Sequence, residues 1–278
     1  MIMARKQPPT PPESISRWFE RLLAGAVKET GTEREAQDLI YDSWETADDD
    51  AAYDLLERAV ELDPTNVDAW LGLMDFERMA DDDRIDMLRR LVALGKQNLG
   101  EKTFRECRGH FWGFFETRPY MRARAQLAHS LMARGRFEAS IAEYEGMLEL
   151  NPNDNQGMRY ELMACYLACD RMDDARRLFA QFDERQFSTA WAWAYVLERF
   201  LSGKLTEATE ALRSARKLNP HAQAYFIGDR KLPRAMPDSY TRGSREDAVI
   251  AWDIMRHAWK RHPAAQAGLR SQKGAAKA

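Results

Sequence analysis

Apolar residues recur every three or four positions along much of the chain, which is the spacing of amphipathic α-helices. Residues 137–150 and 205–218 show the pattern most clearly: Phe137, Ile141, Tyr144, Met147 and Leu148 in the first, Leu205, Ala208, Ala211, Leu212, Ala215 and Leu218 in the second. Similar stretches predict helices over about 50–62, 66–79, 120–134, 154–168, 188–202 and 245–261. The pattern therefore predicts an all-α fold.

Three of these helices end with similar sequences, AVELDP at 59–64, MLELNP at 147–152 and ARKLNP at 215–220. The proline that closes each segment cannot extend a helix. Pro152 and Pro220 are 68 positions apart, which is twice 34, and Pro64 and Pro152 are 88 apart, which is twice 34 plus 20. The spacing indicates a repeated helix–turn–helix unit of 34 residues with one insertion.

This unit resembles the tetratricopeptide repeat (TPR). The copy at 189–222 has the residues that the family expects. Gly203 lies at the turn, Ala208 and Ala215 at the small positions where helices pack closely, Leu212 at the large apolar position and Pro220 at the end. The copy at 121–154 departs from the family at Ser140 and Met147. The resemblance implies a right-handed superhelix (α-solenoid) of about five to six helix pairs, with the first helix of each pair lining a concave groove.

Four further segments, 35–45, 109–128, 151–167 and 219–233, resemble an uncharacterised bacterial repeat family that is distantly similar to the suppression-of-tumorigenicity repeat proteins. This resemblance covers roughly 33–262 and brings no reaction or ligand with it. It implies a helical-repeat protein that binds other proteins.

The repeat pattern and local composition divide the chain into three regions. Residues 1–13 are rich in proline and predict a disordered arm, and 14–262 predict a single helical-repeat domain with an insertion at 99–119. Residues 263–278 combine alanine, glycine and basic residues without an acidic one, which predicts a flexible basic tail.

Charge is distributed unevenly along the 278 residues. The formal net charge is −3, but it is −10 over 1–100, −1 over 101–200 and +8 over 201–278. Such an asymmetry orients charged partners and permits a head-to-tail contact between two copies. Three cysteines are too few for a disulfide framework, and no apolar run approaches the ~20 residues of a membrane helix, so we expect a cytoplasmic protein without a membrane partner.

The insertion concentrates aromatic residues beside His110, Glu116 and Arg118. One interpretation is that it enters the groove and builds a binding site with these three polar side chains. The alternative is an apolar plug between helices, because aromatic clusters are more often core than binding sites.

Arg122, His129 and Arg159 occupy first-helix positions in consecutive repeats, so the spacing predicts that they are neighbours across the groove. Arginine binds a carboxylate with two parallel hydrogen bonds, which favours a site for acidic groups of a partner. The alternative is that the arginines form ion pairs within the chain, with Glu116, Asp154 or Glu161 as candidate acceptors.

Two further residues complete the candidate partner-binding set. Asn155 lies in the polar cluster 151–155, which is typical of a turn and helix cap and also suits a peptide backbone. Trp191 and Trp193 are two positions apart on one helix and cannot face the same way, so we expect one to be buried and Trp193 to lie on the groove wall.

We identify no catalytic, metal or cofactor residue. The nucleophile, phosphate-binding, zinc and dinucleotide motifs GxSxG, GxxxxGK[ST], HExxH and GxGxxG do not occur. Cys165 and Cys169 lie one helical turn apart but lack two further ligands, which favours buried thiols.

The sequence therefore predicts a non-enzymatic scaffold or adaptor that binds a partner peptide or helix in its groove. The alternative is nucleic-acid binding through the basic residues between Lys204 and Lys277.

Overall fold

The computed structural model describes residues 15–25 and 31–272, and within these ranges the chain is helical without any strand. The predicted all-α class is therefore confirmed. The helices are α1 Ile15–Gly25, α2 Thr32–Glu45, α3 Asp49–Leu62, α4 Val67–Phe76, α5 Asp81–Glu106, α6 Arg118–Ala133, α7 Phe137–Leu150, α8 Arg159–Ala168, α9 Met172–Gln181, α10 Thr189–Leu201, α11 Leu205–Leu218, α12 Ala222–Phe226, α13 Arg245–Arg261 and α14 Pro263–Ser271.

Two helices have the ends that the repeat predicts, whereas α8 begins at Arg159, five residues after the expected start. Helices α7 and α11 have the predicted bounds, and short turns join the two helices of a pair. Gly135 and Gly203 occupy those turns with φ of 71° at both, a left-handed conformation that glycine adopts without steric cost. Ala208 and Ala215 are buried, as close helix packing requires.

The described chain divides into two compact units. The described parts of Met1–Arg134 with Glu149–Asn155 form the first unit, and those of Gly135–Leu148 with Gln156–Ala278 form the second. The sequence had predicted one continuous repeat domain from 14 to 262. Each unit is described on its own below.

In the first unit, α2 packs on α3, α3 on α4, and α4 and α5 both pack on α6. Trp70 is buried at the centre, where its indole N–H donates to the Pro64 carbonyl at 2.9 Å and its ring meets Phe19 of α1 edge to face. The proline that ends one repeat therefore also accepts a hydrogen bond from the tryptophan that begins the next.

The insertion 99–119 combines a helix end with two short turns. Helix α5 is interrupted at Gly100, where φ is 65°, and continues to Glu106 before 3-10 turns at Phe111–Gly113 and Phe115–Thr117. Phe111 is buried against Phe104 and Tyr120, with ring centroids 5.0 and 6.1 Å away. Part of the aromatic cluster is therefore core, as the plug interpretation predicts.

In the second unit, α8 packs with α9 and α10 with α11, and α13 packs against both α8 and α10. The N-terminus of α13 is held by Asp247. The Asp247 carboxylate accepts hydrogen bonds from Thr189 Oγ1 at 2.7 Å, Asn219 Nδ2 at 3.1 Å and the Gly243 amide at 2.8 Å. At its other end, the His262 ring nitrogen lies 2.8 Å from the Leu167 carbonyl oxygen. The last long helix thus covers the first helices of two pairs.

The expectation of a flexible tail from 263 is wrong for most of its length. Pro263 begins α14, where proline fits the first helical turn, and Ala265 and Leu269 on this helix are buried. Arg270 Nε donates to the Ile227 carbonyl at 2.9 Å, which connects α14 to the residue that follows α12. The predicted arm 1–13 and the final residues 273–278 lie outside the described residues.

Candidate functional site

Arg122 of α6 forms an ion pair with Asp68 of α4. Its Nε donates to Asp68 Oδ1 at 2.7 Å, and a terminal nitrogen donates to Asp68 Oδ2. The Asp68 side chain is only 2% exposed, so the pair is buried on the carboxylate side. Because both carboxylate oxygens and two nitrogens of Arg122 are used, the arginine fork is already occupied within the chain.

An exposed aromatic pair lies beside this ion pair. Tyr41 and Trp44 of α2 are 44% and 53% exposed, and their ring centroids are 5.4 Å apart in an edge-on arrangement. The Arg122 guanidinium lies over the Trp44 ring, 5.5 Å from its centroid. Side chains from the first helices α2, α4 and α6 therefore meet at one place, which we call the α2–α4–α6 surface.

A second arginine organises the same surface. Arg84 donates to the Met74 carbonyl and to Asp75 Oδ1, both at 2.9 Å, and to Gln126 Oε1 at 3.0 Å. These bonds connect the start of α5 to α4 and α6. Hydrogen bonds therefore connect α4, α5 and α6 here, and the rings of Tyr41 and Trp44 on α2 are exposed to solvent.

The three polar residues predicted in the insertion have different surroundings. His110 is exposed just before the first 3-10 turn. Arg118 donates to the Trp112 carbonyl at 3.1 Å, and its guanidinium lies 4.2 Å from the Phe115 ring centroid. Arg118 thus stabilises the fold of the turn. Glu116 is exposed and lines a cavity of about 310 Å³ in the first unit.

The wall of this cavity combines three carboxylates with apolar residues. Its polar lining comes from several elements: Glu33 and Gln37 of α2, Asp63 of the turn after α3, Asn98 of α5 and Glu116 of the insertion. Asn98 Nδ2 donates to the Thr65 carbonyl at 2.8 Å, which fixes one side. The insertion therefore forms core with its buried rings and a cavity wall with Glu116.

Arg159 also forms an ion pair within its own unit. Its Nε donates to Glu184 Oε1 at 2.9 Å, and the Tyr160 hydroxyl donates to the second oxygen of the same carboxylate. Burial, followed by that hydrogen bond, raises the pKa of Tyr160 to about 12. The alternative of internal ion pairs thus describes both arginines, and Asp68 and Glu184 are acceptors that the sequence did not single out.

His129 and Asn155 lie in the first unit and stay candidates. His129 is partly buried on α6, two turns after Arg122. Asn155 is exposed directly after Asp154, a buried residue whose amide donates to the Asn151 carbonyl at 2.9 Å. The polar cluster therefore forms a turn, and Asn155 points to solvent. The proximity of Arg122 and Arg159 across a groove stays a prediction.

The expectation that Trp193 lines an open groove wall is wrong. Both Trp191 and Trp193 are fully buried. Trp193 stacks on Phe226 of α12 at 4.4 Å and meets Trp259 of α13 at 6.1 Å. Two tryptophans on different sides of α10 are both covered because α12 and α13 pack over the side that the sequence pattern leaves for a partner.

The exposed aromatic pair was missed by sequence reasoning. Ala36, Ile40 and Ser43 form the buried side of α2, and Tyr41 and Trp44 lie one position beyond two of them. The sequence signal for this exposed pair is the presence of two aromatic residues among the acidic residues of α2, away from the buried side of that helix. The signal is weak, since large apolar residues at three-residue spacing are more often core.

Within the described residues, no group of three histidine, cysteine or carboxylate side chains is arranged to hold a metal. The same part of the chain has no helix that is long and apolar enough to cross a membrane. The three cysteines are free thiols, and burial raises the pKa of Cys165 to about 12.

We therefore expect Cys165 to resist alkylation by iodoacetamide in the folded protein at neutral pH, because the thiolate is the reactive form. Mass spectrometry should find label first on Cys107, which is partly exposed. Unfolding the chain in urea is the control and should make all three thiols reactive. Labelling of Cys165 at the rate of Cys107 in the native protein would contradict its buried position.

A comparison with protein-family models identifies part of the repeat. The family model described as tetratricopeptide repeat matches residues 121–193. A search of curated proteins found no match. Among solved structures, YrrB, described as a TPR protein with an unusual peptide-binding site, aligns at 17% identity over 74% of this chain and 92% of that chain, with a TM-score of 0.40.

The matched segment runs from α6 into α10. Ala128 and Tyr144 in this segment are fully buried, and Gly135 forms the turn between α6 and α7. Residues 121–193 of this all-helical chain are therefore a tetratricopeptide-repeat segment.

Proposed function

We propose that the chain is a non-enzymatic scaffold or adaptor that binds a segment of another protein on the α2–α4–α6 surface. The observation that carries the proposal is the exposed pair Tyr41 and Trp44, held against the Arg122–Asp68 ion pair. Exposed aromatic rings beside an arginine have the composition of binding hot spots.

The comparison of the two units supports this location. In the second unit the first helices α8 and α10 are covered by α13, so that Trp193 is unavailable to a partner. In the first unit the rings of Tyr41 and Trp44 are solvent-exposed. Helical-repeat proteins recognise partners through the side chains that successive repeats place on one surface.

The test compares loss of the exposed aromatic pair with loss of one exposed aromatic ring in the second unit. In Tyr41→Ala/Trp44→Ala the proposed anchor is absent, whereas Phe187→Ala removes a 58% exposed ring from the second unit. Each protein is immobilised and exposed to extract of the source cells, and bound proteins are quantified by mass spectrometry. We expect a partner bound by wild type to fall at least about tenfold with the double variant and to be retained by Phe187→Ala.

Photo-crosslinking identifies where that partner lies. A photoreactive amino acid placed at Trp44 should crosslink the partner, and the same amino acid at Phe187 should not. Crosslinking only at Phe187, or equal capture by wild type and the double variant, would exclude the α2–α4–α6 surface as the binding site. Circular dichroism must first show that all variants are equally helical.

A further inference from the structure

One side of α2 carries a continuous row of side chains that leads from the acidic cavity to the aromatic pair. Glu33, Gln37, Tyr41 and Trp44 are spaced by four, four and three positions, so they lie on one side of the helix. Glu33 and Gln37 line the cavity of about 310 Å³, and the two aromatic rings are exposed. We call this row the α2 strip.

Negative charge predominates along the α2 strip. Three carboxylates line the cavity, those of Glu33, Asp63 and Glu116, and no lysine, arginine or histidine lies among the described residues that line it. Beside the aromatic pair, Asp38 and Glu45 are exposed one turn before and one turn after Tyr41. Asp63 already accepts hydrogen bonds from the amide and the hydroxyl of Thr65 at 3.0 and 2.6 Å, which leaves its charge in place. A ligand that covers this strip therefore meets a predominantly negative surface.

The one arginine over the aromatic pair does not change this balance. Arg122 lies over Trp44, but its charge is matched by the buried carboxylate of Asp68 through two hydrogen bonds. An acidic partner would have to compete with Asp68 for the same nitrogens. A basic partner would instead find exposed carboxylates, the Tyr41 ring and the part of the Trp44 ring that Arg122 does not cover, and aromatic faces attract cations.

From this charge complementarity we infer that the α2 strip binds a basic segment of another protein. A lysine or arginine side chain of the partner enters the acidic cavity, and an adjacent cationic or apolar side chain packs on Tyr41 and Trp44. This assignment rests on the proposed function and adds the chemistry of the partner. It reverses the sign of the ligand charge expected from the arginines in the sequence.

The test uses the full chain and a displayed library of short random peptides as the probe. Peptides selected on the wild type are counter-screened on Tyr41→Ala/Trp44→Ala, and only those that need the aromatic pair are sequenced. We expect lysine and arginine to be enriched at least about threefold over aspartate and glutamate in that set, with binding that weakens as salt rises.

A charge-matched pair of variants then tests the cavity. Glu33→Gln/Glu116→Gln neutralises two carboxylates that line it, and Glu101→Gln/Glu106→Gln neutralises two exposed carboxylates of α5 that do not. For the best basic peptide, affinity should fall about tenfold in the first variant and less than about twofold in the second.

Three results would overturn the inference in distinguishable ways. Enrichment of acidic or uncharged peptides that still need Tyr41 and Trp44 would refute the basic partner and leave the proposed function standing. If no selected peptide needs the aromatic pair, the proposed function fails as well. Self-association of the wild type that is lost in the double variant would make a second copy of the chain the occupant.

Discussion

Replacing Asp247 by alanine should loosen α13 from the second unit and reduce the free energy of unfolding by about 3–5 kcal/mol, since three donors lose a buried acceptor. Those donors are Thr189 Oγ1, Asn219 Nδ2 and the Gly243 amide, and the two side chains are fully or almost fully buried. The carboxylate connects α10, the end of α11 and the loop before α13, so its loss affects three elements together.

Hydrogen exchange is the appropriate measurement because it resolves the effect by helix. In Asp247→Ala the amides of α13 should lose protection first, followed by those of α8 and α10, while the helices of the first unit keep theirs. Glu246→Ala is the matched control, since Glu246 is an exposed carboxylate in the same first turn. Equal protection of α13 in wild type and Asp247→Ala would show that the carboxylate does not hold the helix.

Replacing Arg122 by alanine should destabilise the first unit by about 3 kcal/mol or more, because it leaves the 2% exposed carboxylate of Asp68 without its partner. The control is Arg89→Ala, in which the lost partner of Arg89 is Asp86 at 2.9 Å, with both side chains at least half exposed. Removal of such an exposed ion pair should cost less than about 1 kcal/mol.

A double-mutant cycle separates the ion pair from other effects of the Arg122 substitution. Urea unfolding of Arg122→Ala, Asp68→Ala and the double variant should show that the double loss is smaller than the sum of the single losses by about 0.5–3 kcal/mol. Additive losses would mean that Arg122 and Asp68 do not stabilise each other. The result also bears on binding, since a strongly coupled pair leaves the Arg122 fork unavailable to an acidic ligand.

Local features of this fold were predictable from the sequence. The bounds of α7 and α11 follow from the apolar spacing, the glycine turn and the proline that ends the repeat. These signals lie within a few residues of the structure that they determine, which is why the bounds of these two helices were identified correctly.

The partners of the charged residues were not predictable in the same way. Arg122 and Asp68 are 54 positions apart, and His262 and Leu167 are 95 apart. The sequence indicates that an arginine needs an acceptor, but it offers many carboxylates. The packing of the helices determines which of these carboxylates lies within hydrogen-bond distance of the arginine. The same reason explains the error at Trp193, whose burial depends on where α12 and α13 pack and not on the pattern of α10.

The position of α13 has a consequence for the order in which the protein is made. Helices α8 and α10 leave the ribosome before residues 245–261, so the Trp193 side of α10 is uncovered for the time needed to synthesise the loop and the last long helix. Exposed apolar surface on a nascent chain promotes aggregation. A ribosome stalled between α12 and α13 would therefore present an aggregation-prone intermediate, because α13 covers this side of α10 only once it has been synthesised.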